Sequence, residues 1–427
     1  MKRRVVITGM DTINPLGDTL EEYYSNLIKG KSGIKRWTSL DLSKVDCKIG
    51  GDLGDYDFKS RLEQLRGQIE ENLHKKLRKL FRNMTFSNKA ATLTAIHAFL
   101  DAGLFGVDID PDRFGVVVGG HNFNSNYVLK NIHQFEEEPA YIEPLFGVEA
   151  LDPNIPATIS EVLGAQGPTF TMGAACSSGN IALREGFRNI ISGECDVMIV
   201  SGAIFDMTSS DIHAMAYLDT LAIDEKYYDM PEKASRPFDA GRSGFVPSHG
   251  AGTIIIESLD FAQERNASIR AEVLGVAANA NANHLPVPSA ETQARLIQNL
   301  LRNTGVRPEE VDYVNCHATS TPVGDTLEIK AIKQAFGKHA YALKLNAPKS
   351  MLGHVCWSAP IVESIGGILQ MEHGMLHPSI NIDRLDPEVD LDVCKDGPVK
   401  HQIRMMLKNS FGFGGLNCCS LIKRYEG

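Results

Sequence analysis

The chain has 427 residues, long for one simple core at ~100–200 residues per domain and short for three, so two domains or one duplicated architecture are expected. Its 43% hydrophobic and 22% charged residues exclude a disordered or collagenous chain, and no apolar run reaches the ~18–20 residues of a bilayer span. A formal net charge of −10 argues against a nucleic-acid footprint spread over the whole surface. The cysteines (Cys47, Cys176, Cys195, Cys316, Cys356, Cys394, Cys418 and Cys419) are scattered without C-x-x-C spacing. The apolar run after Lys2, Arg3 and Arg4 stops at Thr8-Gly9, far short of an export signal, so the thiols read as those of a reduced, cytoplasmic protein.

Short β-branched runs at 4–8, 114–118, 197–201, 253–256, 312–315 and 404–407 predict buried strands. Helical spacing of apolar residues at 180–191 and 289–301 predicts helices covering sheet faces, which makes the class α/β. Residues 58–82 carry Leu62, Leu65, Ile69, Leu73, Leu77 and Leu80 on one helix face and end in the cations Lys75, Lys76, Arg78, Lys79 and Arg82. A basic helix end is either a solvated face favoured by the helix dipole or a docking patch for an acidic partner. No low-complexity linker divides the chain. The expected boundary therefore falls in ordered chain, between residues 1–258 and residues 259–427.

Four segments carry chemistry. In Thr171-Met-Gly-Ala-Ala-Cys176-Ser-Ser-Gly-Asn180, a small-residue turn places Cys176 at a helix start. Unpaired N–H groups there favour a thiolate, so a lowered thiol pKa is expected; the alternative is a buried cysteine in a packing seam. In Val314-Asn-Cys-His317 a strand ends in a histidine placed for acid/base or hydrogen-bond donation, while Asp325 and Glu328 read as a helix capping box. In Asn346-Ala-Pro-Lys349-Ser-Met-Leu-Gly-His354, a second histidine follows a lysine whose expected ion-pair partner is Glu363. In Asn409-Ser-Phe411-Gly-Phe413-Gly-Gly-Leu-Asn417, a glycine-rich loop exposes N–H groups to an anion.

A nucleophile, two donors and an anion-binding loop form an acyl-transfer set. With Val5-Val-Ile-Thr-Gly-Met10, Asn14-Pro-Leu-Gly17 and Ser235-Arg-Pro-Phe-Asp239, these motifs make nearly the whole chain resemble the β-ketoacyl-acyl-carrier-protein synthases of the thiolase superfamily, nearest to the synthase II type. The resemblance implies two similar βαβαβαβ halves in an α-β-α-β-α layering, the first carrying Cys176 and the second His317, Lys349, His354 and the closing loop. It implies that Cys176 takes an acyl group from carrier-protein phosphopantetheine, with Cys176 and Phe413 N–H groups as the oxyanion hole. His317 and His354 then support malonyl decarboxylation and condensation to a 3-ketoacyl thioester, with Lys349 and Glu363 holding the histidine end. No bound cofactor or metal is expected. The expected partners are an acyl carrier protein, docked on Lys75, Arg78 and Lys79, and a second synthase chain, identical or related.

The same fold serves three other roles. A thiolase uses a second cysteine late in the chain, where this sequence has the Gly412–Asn417 loop with Cys418 and Cys419 beyond. A chain-length-factor-like, non-catalytic partner lacks the nucleophile. A ketosynthase-fold acyltransferase without decarboxylation keeps the cysteine but has no use for both histidines. Ala174-Ala175, Ser243, Ser248-His249, Trp357, Pro360 and Leu416 depart from the family pattern. Bulk at Trp357, with Phe413 as a gate, points to a specialised acyl chain, polyketide-like or fatty.

Overall fold

The computed structural model describes residues 3–427. A ten-stranded sheet carries the fold, and its strands in chain order are β1 (Val5–Ile13), β2 (Phe114–Gly119), β3 (Thr169–Met172), β4 (Val197–Gly202), β5 (Ala251–Ser258), β6 (Ala271–Ala280), β7 (Tyr313–Asn315), β8 (Lys344–Asn346), β9 (Met405–Gly412) and β10 (Leu416–Arg424). The spatial order is β8-β7-β9-β10-β6-β1-β5-β4-β2-β3. From the centre outward, β1-β5-β4-β2-β3 and β6-β10-β9-β7-β8 obey one rule. In each half the first strand is antiparallel to the last, the last is antiparallel to the fourth, and the fourth, second and third run parallel. The halves meet where Val5–Ile7 pairs with Ala271–Val273.

Five helices complete the layering: α1 (Phe86–Asp101), α2 (Ser178–Ser192), α3 (Ala290–Thr304), α4 (Gly324–Phe336) and α5 (Ala359–His373). Both α2 and α5 touch strands of the two halves, so they form the middle layer, while α1 covers the first half and α3, backed by α4, covers the second. The order is α-β-α-β-α. Every residue of α5 from Ala359 to Met371 is buried, as a helix between two sheets requires. Pro360 sits in its first turn, where the missing N–H costs no hydrogen bond.

The expected strands and the helices at 180–191 and 289–301 occur as β1, β2, β4, β5, β7, β9, α2 and α3. Residues 58–82 differ from expectation. They form two helices, Phe58–Glu63 and Glu71–Leu80, because Gly67 takes a left-handed φ of +79° and turns the chain between them. The leucine face survives as packing: Leu62, Leu65 and Leu77 are buried together with Phe81 and Leu93.

Candidate active site

The nucleophile turn follows β3. After Met172 the chain makes a short 3-10 turn, Ala175–Ser177, that runs directly into α2. Ala175 has φ +47°, a left-handed conformation that costs a non-glycine residue on the order of 1 kcal/mol. The surroundings hold it there. Ala174 N–H donates to Ser178 Oγ at 2.8 Å, and Ser177 Oγ lies 2.9 Å from Ser410 O and 2.7 Å from Leu416 O in the closing hairpin. Gly412 makes that approach possible, because a Cβ there would lie 2.8 Å from Ala174 O and 3.2 Å from Cys176 N.

Cys176 is buried and lines a cavity of about 300 Å³. Burial pushes its thiol up to about 11, against the charge of Lys349 and the N–H groups of Phe413 and of Cys176 itself, which face the sulfur. The expected lowering of the thiol pKa is therefore corrected: loss of water around a fully enclosed sulfur outweighs the helix start. Phe413 opens a short turn whose Gly414 has φ +76°, and its ring lies 6.4 Å from that of Phe245.

His317 follows β7 on a turn fastened by two buried carboxylates. Glu328 accepts the N–H groups of His317 at 2.9 Å and Ala318 at 2.7 Å, and the side-chain amide of Asn409 at 2.9 Å. Asp325 accepts from Ser320 N at 3.1 Å and Phe238 N at 2.9 Å. The capping-box expectation for this pair is thus corrected. The N-cap of α4 is Val323, and both carboxylates face back onto the histidine turn rather than along the helix.

His354 comes after the helical turn Lys349–Leu352 and Gly353. Its N–H donates to Val246 O at 2.7 Å, and its carbonyl accepts from Ser248 N at 3.0 Å. Both ring nitrogens are buried without a protein partner. The ring stands edge-on to Phe245 at 5.2 Å and to His317 at 5.6 Å, with 83° between the two imidazoles. Burial, then the charges of Lys349 and Lys408, hold both histidines well below the ordinary imidazole range, His354 adding to the effect on His317. Both are neutral near pH 7.

Behind the histidines lies a buried charge cluster. Lys349 Nζ is 2.6 Å from Glu363 Oε1, the pairing expected from sequence, and Lys408 Nζ is 2.5 Å from Glu363 Oε2. Sequence reasoning missed Lys408. A lysine directly after an apolar strand run was its only signal, and nothing local said that it would point into the middle layer.

Cys176, His317, His354, Phe245, Phe411 and Phe413 line one cavity, whose mouth carries Leu218, Val287, Thr319, Thr321 and Val323. Trp357 lies beyond the lining. Its turn packs on the nucleophile turn, and its ring stacks on His121 at 4.4 Å and approaches Phe205 at 5.2 Å. Lys75, Arg78 and Lys79 sit on the exposed side of Glu71–Leu80, away from the cavity; Lys75 pairs with Glu71 and Arg78 with Glu63.

A duplicated five-strand topology enclosing a cysteine, two neutral histidines and a pair of backbone N–H groups turned toward the sulfur defines a thiolase-fold ketosynthase site. Residues 2–262 match the beta-ketoacyl synthase N-terminal domain and residues 270–383 the C-terminal domain, so the chain belongs to the beta-ketoacyl synthase family. It is 34% identical over 426 residues to 3-oxoacyl-[acyl-carrier-protein] synthase 2 of Coxiella burnetii, covering 99% of each chain. Among solved structures it resembles the ishigamide ketosynthase/chain length factor, with TM-score 0.88, 28% identity and full coverage of both chains. It also resembles a type II polyketide ketosynthase, bound to a hexaketide and in complex with its acyl-carrier protein, with TM-score 0.87, 26% identity and full coverage of both chains. No helix among the described residues is long and apolar enough to cross a membrane.

Proposed function

We infer that the protein is an acyltransferase that performs decarboxylative Claisen condensation, joining a cysteine-bound acyl group to a malonyl carrier-protein thioester in fatty-acid or polyketide synthesis. The observation that carries this reading is the pair of unpartnered ring nitrogens of His354, buried in the same cavity as Cys176 and His317. Buried polar atoms are normally satisfied, so a substrate oxygen is the natural partner.

Two stages follow. Cys176 Sγ attacks the carrier-bound acyl carbonyl, the Phe413 and Cys176 N–H groups hold the oxyanion, and collapse expels the pantetheine thiolate, which leaves as the thiol with the proton from Cys176. A malonyl thioester then enters. His317 and His354 donate to its thioester oxygen, the bond between the carboxylate and the methylene carbon breaks to release carbon dioxide, and the resulting enolate attacks the acyl carbonyl; collapse frees the 3-ketoacyl thioester and the Cys176 thiolate, which regains a proton from water. Neutral imidazoles suit this stage because an imidazolium would protonate the enolate and end the reaction as an acetyl thioester. Substrates arrive on phosphopantetheine, no bound cofactor enters, and Thr319 and Thr321 at the mouth present hydroxyls to the arm's amides. Phe413 gates the pocket, and Trp357 backs its apolar wall. The decisive test supplies acyl and malonyl carriers and measures Cys176 acylation by intact mass together with carbon dioxide release. Acylation without carbon dioxide would replace this reading with simple acyl transfer.

A carrier protein docks on Lys75, Arg78 and Lys79, whose exposed charges suit an acidic partner. A second synthase chain, identical or related, covers the face formed by edge strand β3 and the exposed Ile132, Phe135, Tyr141, Leu145, Val148 and Leu151. Sedimentation of the purified chain checks this: a concentration-independent monomer would leave only the heteromeric pairing.

A further inference from the structure

Buried charges need partners, and the cluster behind the histidines holds two lysines against the one carboxylate of Glu363. Lys408 is fully buried on β9, where it registers with Asn315 on β7 and Ser420 on β10. Strand alternation sends consecutive side chains to opposite faces. Lys408 therefore enters the middle layer and meets Glu363 on α5, while Asn409 points the other way to Glu328 and the His317 turn. Lys408 also donates to Asn409 O at 2.8 Å and lies 3.4 Å from Cys316 O, one residue before His317. One strand thus braces both histidine supports.

We propose that Lys408 is a positioning residue of the condensing site, anchoring the second oxygen of Glu363 so that the first is presented to Lys349, and setting the charge that the two histidines face. This rests on the decarboxylative reading above. The groups around the imidazoles are Lys408 from β9, Lys349 from the turn before His354, Glu363 from α5, Glu328 from α4 and Cys176 from the nucleophile turn. With both lysines protonated and Glu363 ionised, the lysine–glutamate triad carries one surplus positive charge. Burial lowers the pKa of Lys408 and Glu363 opposes this, while Lys408 and Lys349 together disfavour histidine protonation. Without Lys408 the triad becomes a neutral Lys349–Glu363 pair, and the imidazoles accept protons more readily.

The test compares wild type with Lys408→Met. The acid limb of the condensation profile should move up by about one pH unit in the variant, with KM for the acyl carrier unchanged. Histidine-selective NMR titration of the free enzymes, assigned with His317→Asn and His354→Asn, should show the same displacement without turnover. If Lys408→Met does not fold, Glu363→Gln is compared with the Glu363→Gln/Lys408→Met double variant, whose acid limb should lie about one pH unit higher. Unmoved limbs and unmoved histidine titrations in folded variants overturn the proposal. A wild type that loads acyl groups but releases no carbon dioxide overturns the decarboxylative reading instead, and the NMR comparison still decides the electrostatic role of Lys408.

Discussion

The two sides of the cavity are built on opposite principles. On one side, Cys176 of the first half is framed by small residues, a left-handed Ala175 and two backbone N–H groups, its own and that of Phe413 from the closing loop of the second half. On the side of the second half, His317 and His354 rest on the buried side chains of Glu328, Lys349, Lys408 and Glu363. Acyl transfer develops negative charge on one oxygen at a fixed place, and backbone dipoles stabilise it without a mobile proton. Decarboxylation needs donors that hold a charge without giving up a proton, so the imidazoles must stay neutral, which burial favours first and the lysine charges second. The contrast teaches that one cavity can keep a neutral thiol and neutral imidazoles for different reasons: enclosure for the thiol, enclosure plus lysine charge for the histidines.

The largest effect should come from the nucleophile side. Cys176→Ala should abolish the acyl adduct in intact-mass analysis, and an adduct that survives would move the nucleophile elsewhere. On the other side, His317→Ala or His354→Ala should lower malonyl decarboxylation by about 10²–10³ while leaving acylation of Cys176 measurable. Equal loss of both stages would erase the division of labour between the two walls.

The charge contrast can be sharpened by pH. With its thiol near 11, Cys176 should react with iodoacetamide at a rate rising about tenfold per pH unit from 7 to 9, because thiolate accumulates as pH rises toward the pKa. A plateau below pH 8 would mean that the helix start dominates after all. Smaller effects lie outside the cavity. Replacing Lys75, Arg78 and Lys79 with Glu should raise the apparent KM for carrier-bound substrate about fivefold and flatten its salt dependence, while sparing a free pantetheine thioester. Equal damage to both substrates would assign the patch to structure. Trp357→Gly, which removes the ring stacked on His121, should shift the preferred acyl length with little change in decarboxylation; an unchanged acyl profile would make that stack ordinary packing.

The motifs at Cys176, His317, Lys349, His354 and the closing loop were legible because each joins a reactive side chain to the turn that carries it, and such local chemistry needs no knowledge of the rest of the chain. Buried strands and amphipathic helices were equally legible from periodicity, since the 2.0 and 3.6 residue repeats are properties of the local backbone. Residues 58–82 show the limit of that signal, where a leucine repeat ran on through Gly67 while the backbone did not.

Charge and partnership were decided by the tertiary structure. Glu328 looked like a cap because Asp325 stands three residues before it, yet one of its carboxylate oxygens holds both the His317 backbone N–H and the Asn409 side chain, which lie far apart in sequence. Lys408 had no visible role until β9 was laid beside α5, and Cys176 had a low expected pKa until the fold closed around it. The sequence by itself determined which groups could react and the local turns that present them, because those depend on neighbours along the chain. Only the packed structure decided which groups are ionised, because desolvation and Coulomb energy depend on atoms distant in sequence and near in space.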